Sequence, residues 1–178
     1  GALIQIRRAL KPDGLMLASL FGGETLNELR ISLIEAESEL TGGAGPRVSP
    51  FADLQDIAGL LQRAGFALPA ADRDITTVRY REPMRLLADL RAMGETSALT
   101  ERNPRALSRR ILARTFEIYR ERFSDPEGRV RATFEILTAT GWAPHESQQQ
   151  PLKPGSAKAR LADALKTKEQ GAGEKPGG

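Results

Sequence analysis

LKPDGLMLASLFGGETLNELR, residues Leu10 to Arg30, decides how this chain is read. Leu3, Ile6 and Leu10 recur at helical spacing, so a first helix is expected over residues 2–11. Pro12, Asp13 and Gly14 stop it, since proline cannot continue a helix and glycine accepts a left-handed turn. LMLASLF, Leu15 to Phe21, is a continuous apolar run of strand length, the pattern of a strand covered on both faces of a parallel sheet. Gly22 and Gly23 follow. Thr25 and Glu28 then stand in Thr-x-x-Glu spacing, which predicts a capping box that opens a second helix. Leu26, Leu29, Leu33 and Leu40 supply its buried face. This is the middle of an α/β repeat. The first amphipathic pattern is already running at Gly1, with no initiating Met, which leads us to expect a piece of a longer protein.

Downstream, Thr41 to Pro46 reads as a loop. Ser49 as N-cap and Pro50 at the first helical position predict a third helix with Leu54, Ile57, Leu60 and Leu61 inward and Gly65 at its end. Phe66 to Tyr80 reads as extended, with Pro69 marking an edge or a bulge. Two amphipathic patterns follow. One runs from about Pro83 to Ala92; the other is capped by Asn103-Pro104 and runs to about Phe123. They are separated by the glycine-containing MGETSAL. RVRATFEILTATGW is a long β-rich segment ending at Trp142. From Ala143 the composition turns to Gln, Lys, Pro, Gly and Ala, so a flexible tail over residues 143–178 is expected after a body of residues 1–142.

The whole chain has 178 residues, 40% hydrophobic and 28% charged, which suits one globular body with a real core. It has no cysteine and one histidine, His145, which excludes thiolate chemistry and leaves no set for a multi-histidine metal site. The basic balance does not point to nucleic acid. Of the net +3, the tail carries six basic and four acidic residues, or +2, and the body's arginines alternate with acids as on a solvated helix face. No apolar run reaches the length of a membrane span.

The order of helix, LKPDG, apolar strand, helices and final long strand resembles the C-terminal half of a class I S-adenosylmethionine-dependent methyltransferase. LFGGETLNELR, SPFADLQDIAGLLQRAGF, MGETSAL, FEILTATGW and HESQQQP are similar, more narrowly, to bacterial relatives of the mitochondrial methyltransferase-like complex I assembly factor. That branch in turn resembles the malonyl-carrier-protein methyltransferase of biotin synthesis. The resemblance implies an α/β fold: the C-terminal strands of a Rossmann-like sheet, a helical lid over about residues 83–123 and a disordered tail. It implies S-adenosylmethionine as cofactor of the full-length parent, held by a glycine-rich loop and an acidic residue that do not stand in this chain. Methyl transfer to an unidentified, possibly protein, acceptor is the implied activity. The mitochondrial branch also suggests arginine hydroxylation, and a non-catalytic assembly module that grips a respiratory complex I subunit is the alternative. The expected location is the cytoplasm of a bacterium, or the mitochondrial matrix in a eukaryote.

Substrate-side candidates follow from position. Phe21, Gly22 and Gly23 stand at the C-terminal end of a strand, the edge where open α/β sheets bind ligands; the glycines also serve a sharp turn. Met93, Gly94 and Glu95 end a helix, either as a simple C-cap or as a lid over the substrate. Arg79 and Tyr80 precede that segment and face either the cleft or solvent. His145 follows the last strand, as a solvated side chain or a site residue. No catalytic residue, cofactor motif or metal site is assigned.

Overall fold

The computed structural model describes residues 1–45, 47–95, 107–149 and 165–166. It divides into two units, Gly1–His145 and Glu146–Gly178. The first holds five helices and three strands, in the order α1 (Ala2–Ala9), β1 (Leu15–Phe21), α2 (Asn27–Thr41), α3 (Leu54–Ala64), β2 (Ala67–Tyr80), α4 (Pro83–Ala92), α5 (Arg109–Phe123) and β3 (Val130–Trp142). Most of the expected tail, and Ser97, Asn103 and Pro104, lie outside the described residues.

β3 is the central strand. β1 and β2 flank it, both antiparallel to it, with Leu15 opposite Trp142 and Tyr80 opposite Val130. This mixed α/β arrangement is compatible with part of a methyltransferase fold. Side chains alternate along β3, so one strand feeds two cores on opposite faces. Val130, Ala132 and Phe134 pack under Leu29 and Leu33 of α2, Leu86 and Leu90 of α4, and Tyr119 and Phe123 of α5. Leu137 and Ala139, of the other parity, pack with Met16, Ile57, Leu61 and Phe66 beneath α3 and α1. Each fully buried aliphatic side chain contributes about 1.5–3 kcal/mol. The expected helical insertion is present as α4 and α5, and α5 is also a wall of the core. Tyr119 is fully buried, and its hydroxyl donates to the Arg131 carbonyl at 2.8 Å.

Three local expectations are corrected. β1 is not covered on both faces within a parallel ladder. Its partner is antiparallel, and Leu15 and Leu17 are 50% and 66% exposed while Met16 is buried. The helices over the second face cover only the Val130 end of the sheet, which leaves those leucines open. Next, α3 begins at Leu54, not after Ser49. Asp53 caps it by accepting from the Asp56 amide at 2.7 Å, and the preceding loop is held out by Phe51, whose ring meets Phe21 edge-on at 6.2 Å. The expected cap at Asn103-Pro104 lies outside the described residues, among which α5 begins at Arg109 with Ser108 accepting from the Ile111 amide.

The third correction organises the molecule. Thr25 and Glu28 do not form a capping box; the N-cap of α2 is Leu26, with no side-chain cap bond. Both side chains reach β3 instead. The Thr25 hydroxyl donates to the Glu135 carbonyl at 3.1 Å and accepts from the Glu135 amide at 3.0 Å. The Glu28 carboxylate accepts from the Thr133 amide at 3.0 Å and from the Thr133 hydroxyl at 2.6 Å. The Gly22 and Leu26 amides donate to the carbonyls of Glu135 and Thr133. The loop thus continues the edge that β1 leaves at Phe21. Leu26 takes a left-handed φ of 56°, which costs an L-residue on the order of 1–2 kcal/mol. Its amide bond to Thr133 and its buried side chain offset that cost.

Thr25→Val keeps the shape of a buried side chain and removes both bonds to Glu135. It leaves a buried amide and carbonyl without that partner, which costs about 1–3 kcal/mol. Urea denaturation should show a loss of that size with an unchanged slope. A loss below about 0.5 kcal/mol would fit an exposed cap position instead.

Candidate functional site

The C-terminal ends of β1 and β2 converge with the last turns of α4 on an open pocket of about 480 Å³. Phe21 and Phe134 form its floor, their rings 6.0 Å apart. Tyr80, Asp89 and Met93 stand around it. Burial raises the Tyr80 phenol above its ordinary pKa, and the Asp89 carboxylate, to which it is hydrogen-bonded, adds to the shift. Asp89 is the one charged residue of the lining. Asp74 pairs with Ile136 and Asp72 with Thr138, so both stand on this face of the sheet beside the pocket.

The remaining candidates have other surroundings. Gly22 follows Phe21 but does not line the pocket. A Cβ there would come within 2.6 Å of the Glu135 carboxyl carbon, and Glu135 is 4% exposed with its carboxylate accepting from the Glu24 amide at 2.7 Å. Glycine is therefore required by close approach at this position. The Gly23 carbonyl accepts from the Arg30 guanidinium at 3.1 Å. Arg79, of opposite parity to Tyr80, is exposed and lies 3.8 Å from Asp125. Gly94 has φ 81° and closes α4, with the Glu95 amide donating to the Leu90 carbonyl at 2.9 Å. Glu95 lines a second cavity rather than the first. His145 is exposed and follows Ala143, which pairs with Gly14 at the far end of the sheet, about seven strand residues from Phe21. Sequence reasoning missed Asp89, Phe134 and Glu135. Asp89 carried a signal, a carboxylate in the last turns of α4 where the helix dipole favours cations.

The second cavity, of about 370 Å³, lies between α2, α4 and the loop from Arg47 to Phe51. A buried ion pair fixes that loop. Glu37, at the end of α2, accepts from Arg47 Nε at 3.1 Å and from the Gly45 amide at 3.2 Å. The Arg47 bond holds the Glu37 carboxyl below its ordinary pKa. A lowered folded pKa gives stability that is present above the unfolded value of about 4.3 and is lost as pH falls through the folded value. Glu37→Gln should therefore lower stability at pH 7 and flatten its decline below about pH 4.5. Thermal melts across pH 2–7 check this; parallel curves for the two proteins would contradict it.

Neither site contains a metal constellation. Among the described residues there is no group of three or more His, Cys, Asp or Glu placed to hold an ion. Nor do they fit a whole S-adenosylmethionine. The amides of Gly22, Glu24 and Leu26, which follow the C-terminal end of β1, are committed to β3 and are not available to a ligand carboxylate or ribose.

No protein-family model matches the chain. It is 42% identical over 166 residues to the arginine-hydroxylase NDUFAF5, mitochondrial, of Danio rerio, covering 93% of this chain and 51% of that protein. Against the same protein of Homo sapiens it is 42% identical over 156 residues, 88% of this chain and 45% of the other. Against the malonyl-[acyl-carrier protein] O-methyltransferase of Xylella fastidiosa it is 37% identical over 138 residues, 78% and 44% of the two chains. The chain spans about half the length of the curated relatives it matches. It is a homologue of these methyltransferase-like proteins, NDUFAF5 and the malonyl-[acyl-carrier protein] O-methyltransferases.

Proposed function

We propose that this chain is the substrate-side part of an S-adenosylmethionine-dependent, methyltransferase-like protein. Its pocket at Phe21, Tyr80, Asp89 and Met93 receives the acceptor, a cationic side chain of a protein. The observation that carries this reading is the composition of the lining. Three aromatic rings and one carboxylate meet in an open pocket that no described lysine or arginine lines. Aromatic faces attract cations, and a carboxylate adds a charge-assisted hydrogen bond, together on the order of 1–3 kcal/mol when partly desolvated. A guanidinium suits both, because it is planar, stacks on rings and bonds a carboxylate in a bidentate fashion. The relatives named arginine-hydroxylase agree with such an acceptor. Methyl transfer would need little acid–base chemistry from this half, since it depends mainly on alignment. The Tyr80 hydroxyl and Asp89 would orient the acceptor, and Phe21 and Phe134 would exclude water beneath it.

The acceptor's parent would be a subunit of respiratory complex I, in the mitochondrial matrix or the bacterial cytoplasm. A second reading makes the chain a non-catalytic assembly module that grips the same partner. It is favoured by the loop amides of Gly22, Glu24 and Leu26, which donate to β3. The two readings share the pocket and differ in whether a complementary half restores group transfer.

The test is calorimetric titration with a short peptide carrying one arginine and with its citrulline counterpart, which is neutral and nearly isosteric. The arginine peptide should bind roughly five- to tenfold more tightly. Asp89→Asn should remove that difference without unfolding the chain, because the residue is exposed. Equal binding of the two peptides would rule out a cationic acceptor at this pocket.

A further inference from the structure

The second cavity calls for an occupant of its own. It is enclosed by Leu29 and Leu33 of α2, Leu87 and Leu90 of α4, and Val48 and Phe51 of the connecting loop. Close-packed interiors rarely leave a void of this size, and 370 Å³ is within the range of pockets that hold small ligands. Its walls are fixed before any ligand arrives. Glu37 pins Arg47 and the Gly45 amide, so the loop is tied to α2. Phe51 is held against Phe21, so the cavity also stands apart from the cation-favouring pocket, on the other side of the last turns of α4.

The polar lining is of a different kind from that of the first pocket. Among the described residues its lining holds two cations, Arg47 and Arg91, and one carboxylate, Glu95. Arg47 is already engaged by Glu37, which makes Arg91, exposed on the last turn of α4, the cation that a ligand meets at the rim. A cavity with leucine walls on one side and an exposed arginine at its edge is complementary to a hydrocarbon chain that ends in a carboxylate. We propose that this cavity is a binding site for a medium-chain fatty carboxylate, with its chain among the leucines and its head on Arg91. A short dicarboxylate such as malonate lacks the chain and a fatty alcohol lacks the charge, so neither meets both halves of the site. The inference is independent of the cationic acceptor argued above.

Calorimetric titration of the full chain with decanoate, decanol and malonate tests it. Decanoate should bind, decanol should bind at least about fivefold more weakly, and malonate should give no heat. Arg91→Gln should bring decanoate down to the level of decanol and leave decanol unchanged. Val48→Trp should abolish binding of both by filling the chamber. Leu17→Lys, on the open sheet face far from the cavity, should change nothing. Three results would overturn the proposal: no heat with decanoate at millimolar concentration, equal affinity for decanoate and decanol, or loss of binding in Leu17→Lys. The last would show adhesion to the exposed leucines of β1. Circular dichroism of each variant separates lost binding from lost fold, and Arg91→Gln, at an exposed position, keeps the test open if the Trp variant does not fold.

Discussion

The binding of the Gly22–Glu28 segment along the free edge of β3 is the constraint on which the rest of the unit depends. Backbone amides of Gly22 and Leu26, the Thr25 hydroxyl and the Glu28 carboxylate all meet Thr133 or Glu135. These are contacts between residues more than a hundred positions apart, so they close the body of the chain on itself. They also fix where α2 starts and how it lies over the sheet. Leu26, Leu29 and Leu33 then reach the core above Val130 and Phe134. Because an unpaired buried amide costs more than a made bond gains, such a set is held nearly all or none.

Both cavities inherit their positions from this strap. Phe21, the last residue before it, forms the floor of one and touches Phe51 of the other. Gly22 permits Glu135 to close beneath the loop, and Glu135 in turn holds the Glu24 amide. The last turns of α4 then separate an open pocket of aromatic rings and one carboxylate from a cavity lined by leucines with Arg47, Arg91 and Glu95. Asp89 and Met93 line one cavity, and Arg91 and Glu95 line the other, so the end of α4 stands between them.

Much of this was legible in the residues. The LKPDG stop, the apolar run of β1, the glycine after α3 and the helical insertion before β3 are local patterns, and local propensity decides them. The α/β class and the likeness to methyltransferases followed from their order. What could not be read was set by tertiary partners. Thr25 and Glu28 have the spacing of a capping box, yet a buried β3 edge offers them stronger partners than the helix end does. Ser49-Pro50 has the chemistry of a helix start, yet Phe51 is drawn to Phe21 and the helix begins later, at Leu54 behind the Asp53 cap. Of the residues that line the first pocket, Phe21, Tyr80 and Met93 stood out by their place at element ends. Phe134 and Glu135 were not, because nothing local distinguishes a strand residue that faces a pocket from one that faces the core. Arg79 and Tyr80 are neighbours in sequence but fall on opposite faces, and only the strand register separates them.

The most direct measurement is hydrogen exchange of the amides of Gly22, Glu24 and Leu26, read residue by residue. As parts of the sheet edge they should be protected to the same degree as the amides in the middle of β1, and should open together with Thr133 and Glu135. Fast exchange at these three positions, with β1 and α2 still protected, would mean that the segment is an ordinary exposed connection. The strap would then not be what holds the fold and its two cavities in place.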